Sequence, residues 1–155
     1  MNQHDPQPAE WPQVASRIAA LIEGEIDAIA KMATIACELH HAFERFHWVG
    51  FYRVVAPQLL KIGPYQGGHG CLVIPFQRGI CGACAMAEKS LVVPDVEKFS
   101  DHIACSSTTR SEIVVPVFSA GELIAVLDID SDYLDAFDAA DQQALEAILE
   151  QAFNR

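Results

Sequence analysis

Five cysteines are the residues most able to do covalent chemistry in this chain: Cys37, Cys71, Cys81, Cys84 and Cys105. An odd, sparse set is not the disulfide framework of a small secreted domain. Cys81-Gly-Ala-Cys84 is a C-x-x-C, and His102-Ile-Ala-Cys105 follows after 17 intervening residues. That spacing fits a zinc site with one histidine ligand. The context argues against it, because Gly-Ile-Cys-Gly-Ala-Cys-Ala-Met-Ala-Glu-Lys reads as an apolar helix start and not a polar knuckle. A thioredoxin-like C-x-x-C needs a preceding strand in a βαβ unit, which the pattern lacks. Cys84 then reads as a small buried hydrophobe, and Cys37, on the apolar face of a helix, reads the same way. Cys71 and Cys105 differ. Cys71 opens a strand directly after a glycine-rich loop, and Cys105 lies in the polar segment Asp-His-Ile-Ala-Cys-Ser-Ser-Thr-Thr-Arg with His102 close by. A cysteine in such a segment has no packing reason to be there and is exposed enough to react.

The carboxylates form a second group. In Asp128-Ile-Asp130 the two-residue period of a strand puts both acids on one face, ~6–7 Å apart, and Ile129 on the other. Such a pair holds an ammonium group, or keeps one carboxyl protonated at neutral pH because like charges raise a pKa. Glu112 opens the adjoining strand and joins them. Ordinary solvated turn chemistry is the plainer reading of Asp-Ile-Asp-Ser-Asp. Trp48 and Tyr52 share a strand face, as core packing or as the apolar wall of a ligand site.

The elements that must position these residues follow from periodicity. Val14–Phe46 is helical, with Gly24 as a divider. His47–Val55 is a strand and Gln58–Ile62 its hairpin partner, while Gly63–Gly70, with four glycines and a proline, reads as loop. Cys71–Phe76 is a strand, Gly79–Lys89 a helix and Leu91–Pro94 a strand. Residues 95–110 are irregular. Glu112–Phe118 and Glu122–Asp130 form a hairpin through Ser119-Ala120-Gly121, and Asp138–Phe153 is an amphipathic helix. This order predicts an α+β domain over residues 13–155 behind a flexible arm of residues 1–12: a central antiparallel sheet with helices packed on one face.

The 155 residues are 51% hydrophobic and 20% charged, enough for one domain with a core that needs no staples. Disorder is excluded, as is a membrane span, because no apolar run approaches ~18 residues. Net charge is −11. Residues 1–94 carry seven Lys/Arg and eight Asp/Glu, and residues 95–155 carry three and thirteen. A nucleic-acid partner is therefore not expected, whereas the acidic half suits a ligand amine. No secretory signal is visible at the start, so a cytoplasmic location, with reduced thiols, is expected.

Several segments together resemble a known family. His-Trp-Val-Gly-Phe-Tyr at 47–52, Gly-Pro-Tyr-Gln-Gly at 63–67, Ile-Pro-Phe-Gln-Arg-Gly-Ile-Cys-Gly at 74–82, Pro-Asp-Val at 94–96, His-Ile-Ala-Cys at 102–105, Ser-Glu-Ile-Val-Val-Pro-Val at 111–117 and Ala-Val-Leu-Asp-Ile-Asp-Ser at 125–131 are similar to the free methionine-(R)-sulfoxide reductases, GAF-domain enzymes. The match runs over roughly residues 35–153. It implies a single GAF domain that reduces free L-methionine-(R)-sulfoxide to L-methionine, but not the sulfoxide of a residue within a protein.

The resemblance also assigns roles. Cys105 matches the attacking thiolate, Cys71 the resolving thiol and Cys81 an auxiliary cysteine. Glu112, Asp128 and Asp130 match the carboxylates that bind substrate, with Trp48, and less directly Tyr52, as the aromatic wall. The implied sequence is a sulfenic acid on Cys105, an intramolecular disulfide with Cys71, and recycling by thioredoxin as external reductant, with no metal and no resident cofactor. Homodimers are common in the family. Two departures stand out: Cys84 where a small non-thiol residue is expected, and Asp101 where glycine is common. The competing reading is a GAF sensor that binds a small molecule without chemistry.

Overall fold

The computed structural model describes residues 10–103 and 105–154. The 1–12 arm therefore lies largely outside the described residues, but Trp11 and Pro12 belong to a helix. That helix, α1 (Trp11–Leu21), has Pro12 in its first turn, where a missing N–H costs nothing. α2 (Ala28–Ala42) is capped by Asp27, whose side chain accepts from the backbone N–H groups of Ile29 and Ala30. Gly24, at φ +76°, breaks the helical run between them, as its position suggested.

Six strands form one antiparallel sheet in the order β3-β2-β1-β6-β5-β4. β1 is Trp48–Ala56, β2 Leu59–Gln66, β3 Val73–Pro75, β4 Leu91–Val93, β5 Ser111–Ser119 and β6 Glu122–Ser131. β5 and β6 close through Ala120-Gly121, both at positive φ (51° and 80°), the backbone of a tight hairpin turn. The sequence placed residues 63–66 in a loop, whereas the structure puts them in β2. Gly63 and Pro64 fall in the register shift between the pairs Gly50–Tyr65 and Tyr52–Ile62, and β3 covers only Leu59–Lys61. Beyond Lys61, β2 is therefore an edge strand with a bulge, where a proline removes no ladder bond that matters.

α1, α2 and α4 (Ala139–Phe153) pack on one face of the sheet. Their core includes Ile18, Ile35, Leu39, Val49, Phe51, Ile113, Leu127, Ile129 and Leu145. Asp141 ties this layer together. It accepts from both terminal nitrogens of Arg45 (2.8 and 3.0 Å), from Trp11 Nε1 (3.0 Å) and from the Asp138 N–H (3.0 Å). The expectation that helices lie on one face is corrected for α3 (Gly79–Ala87), which packs on the opposite face. Its sequence, Gly-Ile-Cys-Gly-Ala-Cys-Ala-Met-Ala, has little polar surface to offer water. It is buried against Tyr52, Ile74, Val114 and Val126 as the roof of a second core.

Candidate functional site

Strand register assembles the site. Trp48 on β1 pairs with Asp130 on β6, and Asp130 pairs with Glu112 on β5. One step along, Gly50 faces Asp128, which faces Val114; Tyr52 pairs with Val126 in the row after that. The intervening residues, Val49, Ile113 and Ile129, enter the helical core. The alternation read from Asp-Ile-Asp thus holds, and all three acids stand on the face roofed by α3. Cross-strand like charges destabilise a sheet, and here the sheet puts Glu112 directly opposite Asp130 and buries Glu112 (6% exposed) together with the neighbouring Asp128 (4%).

No lysine or arginine forms an ion pair with these acids among the described residues. Oδ1 of Asp128 and Oδ1 of Asp130 are buried without a hydrogen-bond partner. Burial pushes the Glu112 carboxyl well up, and the charges of Asp128 and Asp130 push it further. Asp130 is raised by burial and then by Asp128. Asp128 is raised by burial as well, but hydrogen bonds from Glu112, Asp130 and Cys81 pull it back. Burial and mutual repulsion thus favour holding protons within the triad, because no neighbouring cation offsets its charge. This cluster can meet an ammonium group and still donate a proton.

Two glycines let the aromatic wall form. A Cβ at Gly50 would sit 2.3 Å from Cη2 of Trp48, so the indole lies flat over a strand position with no side chain. A Cβ at Gly70 would be 2.9 Å from both Trp48 Cζ2 and the Tyr52 hydroxyl. Trp48 Nε1 donates to the Gly68 carbonyl at 2.7 Å, and its ring stacks with Tyr52 (centroids 5.9 Å) and Tyr65 (5.5 Å). Gly67 and Gly70 are thus explained by close approach to the tryptophan, whereas a Cβ at Gly68 would meet nothing.

The thiols divide into three kinds. Cys71 and Cys105 form a disulfide with Cα atoms 5.3 Å apart. Cys81, on the first turn of α3, points its Sγ toward Glu112 Oε1 at 4.0 Å. Burial, then Asp128 and Glu112, push its thiol well up, so it keeps its proton. Cys84 is fully buried in the α3 core and is also raised by burial, which fits the small-hydrophobe reading. Cys37 is only half-buried, at the margin of the α2 apolar face. The C-x-x-C and H-x-x-C residues do not assemble as a tetrad. Cys105 is bonded to Cys71, and the only metal-ligand grouping among the described residues is Cys81, Glu112 and Asp128.

One cavity of about 40 Å³ is lined by Trp48, Tyr52, Cys81, Cys105, Glu112, Asp128 and Asp130, seven of the eight candidate site residues. Cys71 reaches it through the disulfide. The lining also includes His69, Ile80, His102, Ile103, Ser106 and Thr109. Of these the sequence had flagged only His102, as a metal ligand and as a neighbour of Cys105. Burial lowers its pKa, leaving a neutral imidazole beside the acids. His69, Ser106 and Thr109 sit in irregular segments where no periodicity marks a face. Asp101 anchors the Cys105 segment to the start of α3: its Oδ2 accepts from the Gly79 N–H at 3.3 Å, and its Oδ1 lies 3.4 Å from Arg78 Nε.

The GAF domain model matches residues 12–154. The free methionine-R-sulfoxide reductases of Saccharomyces cerevisiae and Escherichia coli are each 36% identical to the chain, over 83% and 85% of it and 75% and 79% of their own lengths. The chain belongs to this GAF-domain enzyme family. The free methionine-R-sulfoxide reductase of Neisseria meningitidis, solved in complex with its substrate, superimposes with a TM-score of 0.88 at 42% identity, covering 99% of this chain and 94% of that one. No helix is long and apolar enough to cross a membrane among the described residues.

Proposed function

We propose that the protein reduces free L-methionine-(R)-sulfoxide to L-methionine with electrons from its own thiols. The observation that carries this reading is a disulfide beside a cavity lined by three acids that no cation among the described residues neutralises. The family supports it, because relatives at this level of identity are named for this reaction.

The chemistry follows from the placement of groups. The Cys105 thiolate attacks the sulfoxide sulfur while Glu112 or Asp130 delivers a proton to the oxygen, which would otherwise leave as a costly anion. The hydroxyl then passes to the Cys105 sulfur as the sulfur–sulfur bond breaks, which leaves a sulfenic acid on Cys105 and releases methionine as the thioether. Cys71 then attacks that sulfur, water leaves, and the Cys71–Cys105 bond forms. An external dithiol, of which thioredoxin is the simplest, restores both thiols. The electrons enter through the disulfide, so no resident cofactor or metal is needed, and a reducing cytoplasm suits the cycle. Asp128 and its neighbours hold the substrate's ammonium group. A methionine inside a peptide lacks that charge, and this gives selectivity for the free amino acid. Trp48 faces the methyl group.

A cavity of about 40 Å³ has room for about three waters and not for an amino acid of this size. The disulfide form is therefore the state after chemistry, and the segments bearing Cys71 and Cys105 must part before substrate enters. NADPH consumption coupled through thioredoxin tests the reading. Turnover is expected with free methionine-(R)-sulfoxide and not with the (S) epimer, and Cys105→Ser should abolish it while the fold persists. Tight binding without oxidation of any thiol would instead mark a small-molecule sensor and refute the enzyme.

A further inference from the structure

We propose that Cys81, Glu112 and Asp128 form a binding site for a thiophilic divalent cation of the zinc class, which competes with the substrate's ammonium group for the same oxygens. Only the competition rests on the reductase reading; the binding does not. Cys81 Sγ and one oxygen from each of Glu112 and Asp128 lie within 4.8 Å of one another, and all three residues are buried. A tetrahedral zinc sphere sets such donors about 3.4–3.6 Å apart, so the cluster closes on an ion by a shift of about 1.4 Å or less. A second observation is independent of the cluster's composition. Oδ1 of Asp128, a residue 4% exposed, is buried at the cavity without a hydrogen-bond partner, and so is Oδ1 of Asp130. Neither oxygen has a hydrogen bond to give up on meeting an ion, and Asp130 stands beside the grouping, outside its 4.8 Å limit.

The donor set selects the ion. A sulfur with two or three carboxylate oxygens favours zinc or cadmium over magnesium or calcium, which take six or more hard oxygens. Size agrees, since about 40 Å³ holds an ion with a water or two but not the amino acid. Binding forms a metal–sulfur bond and metal–oxygen bonds, and releases the thiol and carboxyl protons to solvent; no oxidation state changes. The other free thiols do not join in. Cys84 is packed in the α3 core outside the cluster, and Cys37 is on the far side of the sheet.

The test uses the disulfide form, in which Cys71 and Cys105 cannot bind metal. Chelator-washed protein titrated with cadmium should develop the ultraviolet charge-transfer band of one cadmium–thiolate bond, saturating at one ion per chain. Zinc should displace it and magnesium should not. Cys37→Ala should keep the band and Cys81→Ala should lose it; Asp130→Asn should weaken binding about tenfold. No band, or a band that survives Cys81→Ala, overturns the site. Should Cys81→Ala fail to fold, zinc-edge absorption of the parent decides: one sulfur with oxygens upholds the site, and a sphere without sulfur overturns it. In reduced enzyme, zinc should raise KM for the sulfoxide and leave kcat unchanged; a fall in kcat alone refutes the competition. Cadmium binding by a chain that fails to reduce the sulfoxide would uphold this site and remove the proposed function instead.

Discussion

Reduction of the Cys71–Cys105 disulfide should lower the melting temperature by about 8–15 °C. The bond spans a sequence separation of 34. In the chain-entropy treatment, closing a loop of that size removes roughly 13 cal/mol/K from the unfolded ensemble, or about 3.8 kcal/mol at 25 °C. For a domain of this length, 1 kcal/mol moves the midpoint by about 2–4 °C. The native side of the balance should add little, because the Cα atoms are 5.3 Å apart, inside the unstrained range. Calorimetry of the oxidised protein, checked by finding three free thiols, against protein reduced with a phosphine measures the shift. Cys71→Ser is the control, and the same reductant should leave its melting temperature unmoved. An oxidised form that melts no more than 2 °C above the reduced form, or below it, would falsify the reasoning. It would mean that closure strains the segments over the cavity by about as much as it constrains the unfolded chain.

Glu112→Gln and Asp130→Asn should each reduce kcat/KM ten- to a hundredfold, since a hydrogen bond to a charged group is worth ~1.5–3 kcal/mol. Neither should lower the melting temperature, because each removes an acid from a buried cluster with no cation; activity within twofold of the parent would mark both as bystanders. Gly50→Ala would place a methyl 2.3 Å from the Trp48 ring and 2.7 Å from Tyr65 Cβ. It should raise KM several-fold and cost about 1–3 kcal/mol of stability, read by kinetics and denaturant titration. Asp141 bears on acid stability. Burial raises its pKa, but the hydrogen bonds from Arg45, the Asp138 N–H and Trp11 outweigh this and hold it below the ordinary value. Its contribution is therefore present above the unfolded-state pKa near 4 and lost as pH falls through the lower folded value. Asp141→Asn should destabilise at pH 7 and flatten the loss of stability below about pH 4; parallel pH curves for parent and variant would exclude this role.

The acids were legible because a strand is a strict ruler. Asp-Ile-Asp at 128–130 fixes which side chains share a face. The turn alone would set Glu112 opposite Ile129; a bulge between Val117 and Phe118, invisible in the pattern, shifts the register by one and brings Glu112 opposite Asp130. Trp48 and Tyr52 followed from the same period. What the local pattern could not give was layer and distance. The pattern of α3 identifies a helix but not the face of the sheet it covers. That choice is made by apolar surface on both sides, with Ile80, Cys81 and Cys84 filling the second core. Gly63–Gln66 looks like loop because glycine and proline usually end strands, and only the partner's register shows that an edge and a bulge absorb them. His69, Ser106 and Thr109 reach the cavity from irregular segments, where residue type carries no direction.

The site separates its fixed groups from its moving ones. Glu112, Asp128 and Asp130 sit on β5 and β6, central strands whose backbones are paired on both sides, a rigid setting for the proposed ammonium site and proton donors. Cys71 and Cys105 sit outside strands and helices, the first after the glycine-rich segment and the second before β5. This arrangement suits the proposed reaction. In that proposal Cys105 approaches first the sulfur of a ten-atom substrate and then that of Cys71. A thiol on a paired strand could meet one of those demands and not both. Asp101 ties the Cys105 segment to the start of α3 through its contacts with the Gly79 N–H and Arg78. Cys81, held on the helix and keeping its proton, stays with the acids and does not travel with the other two thiols.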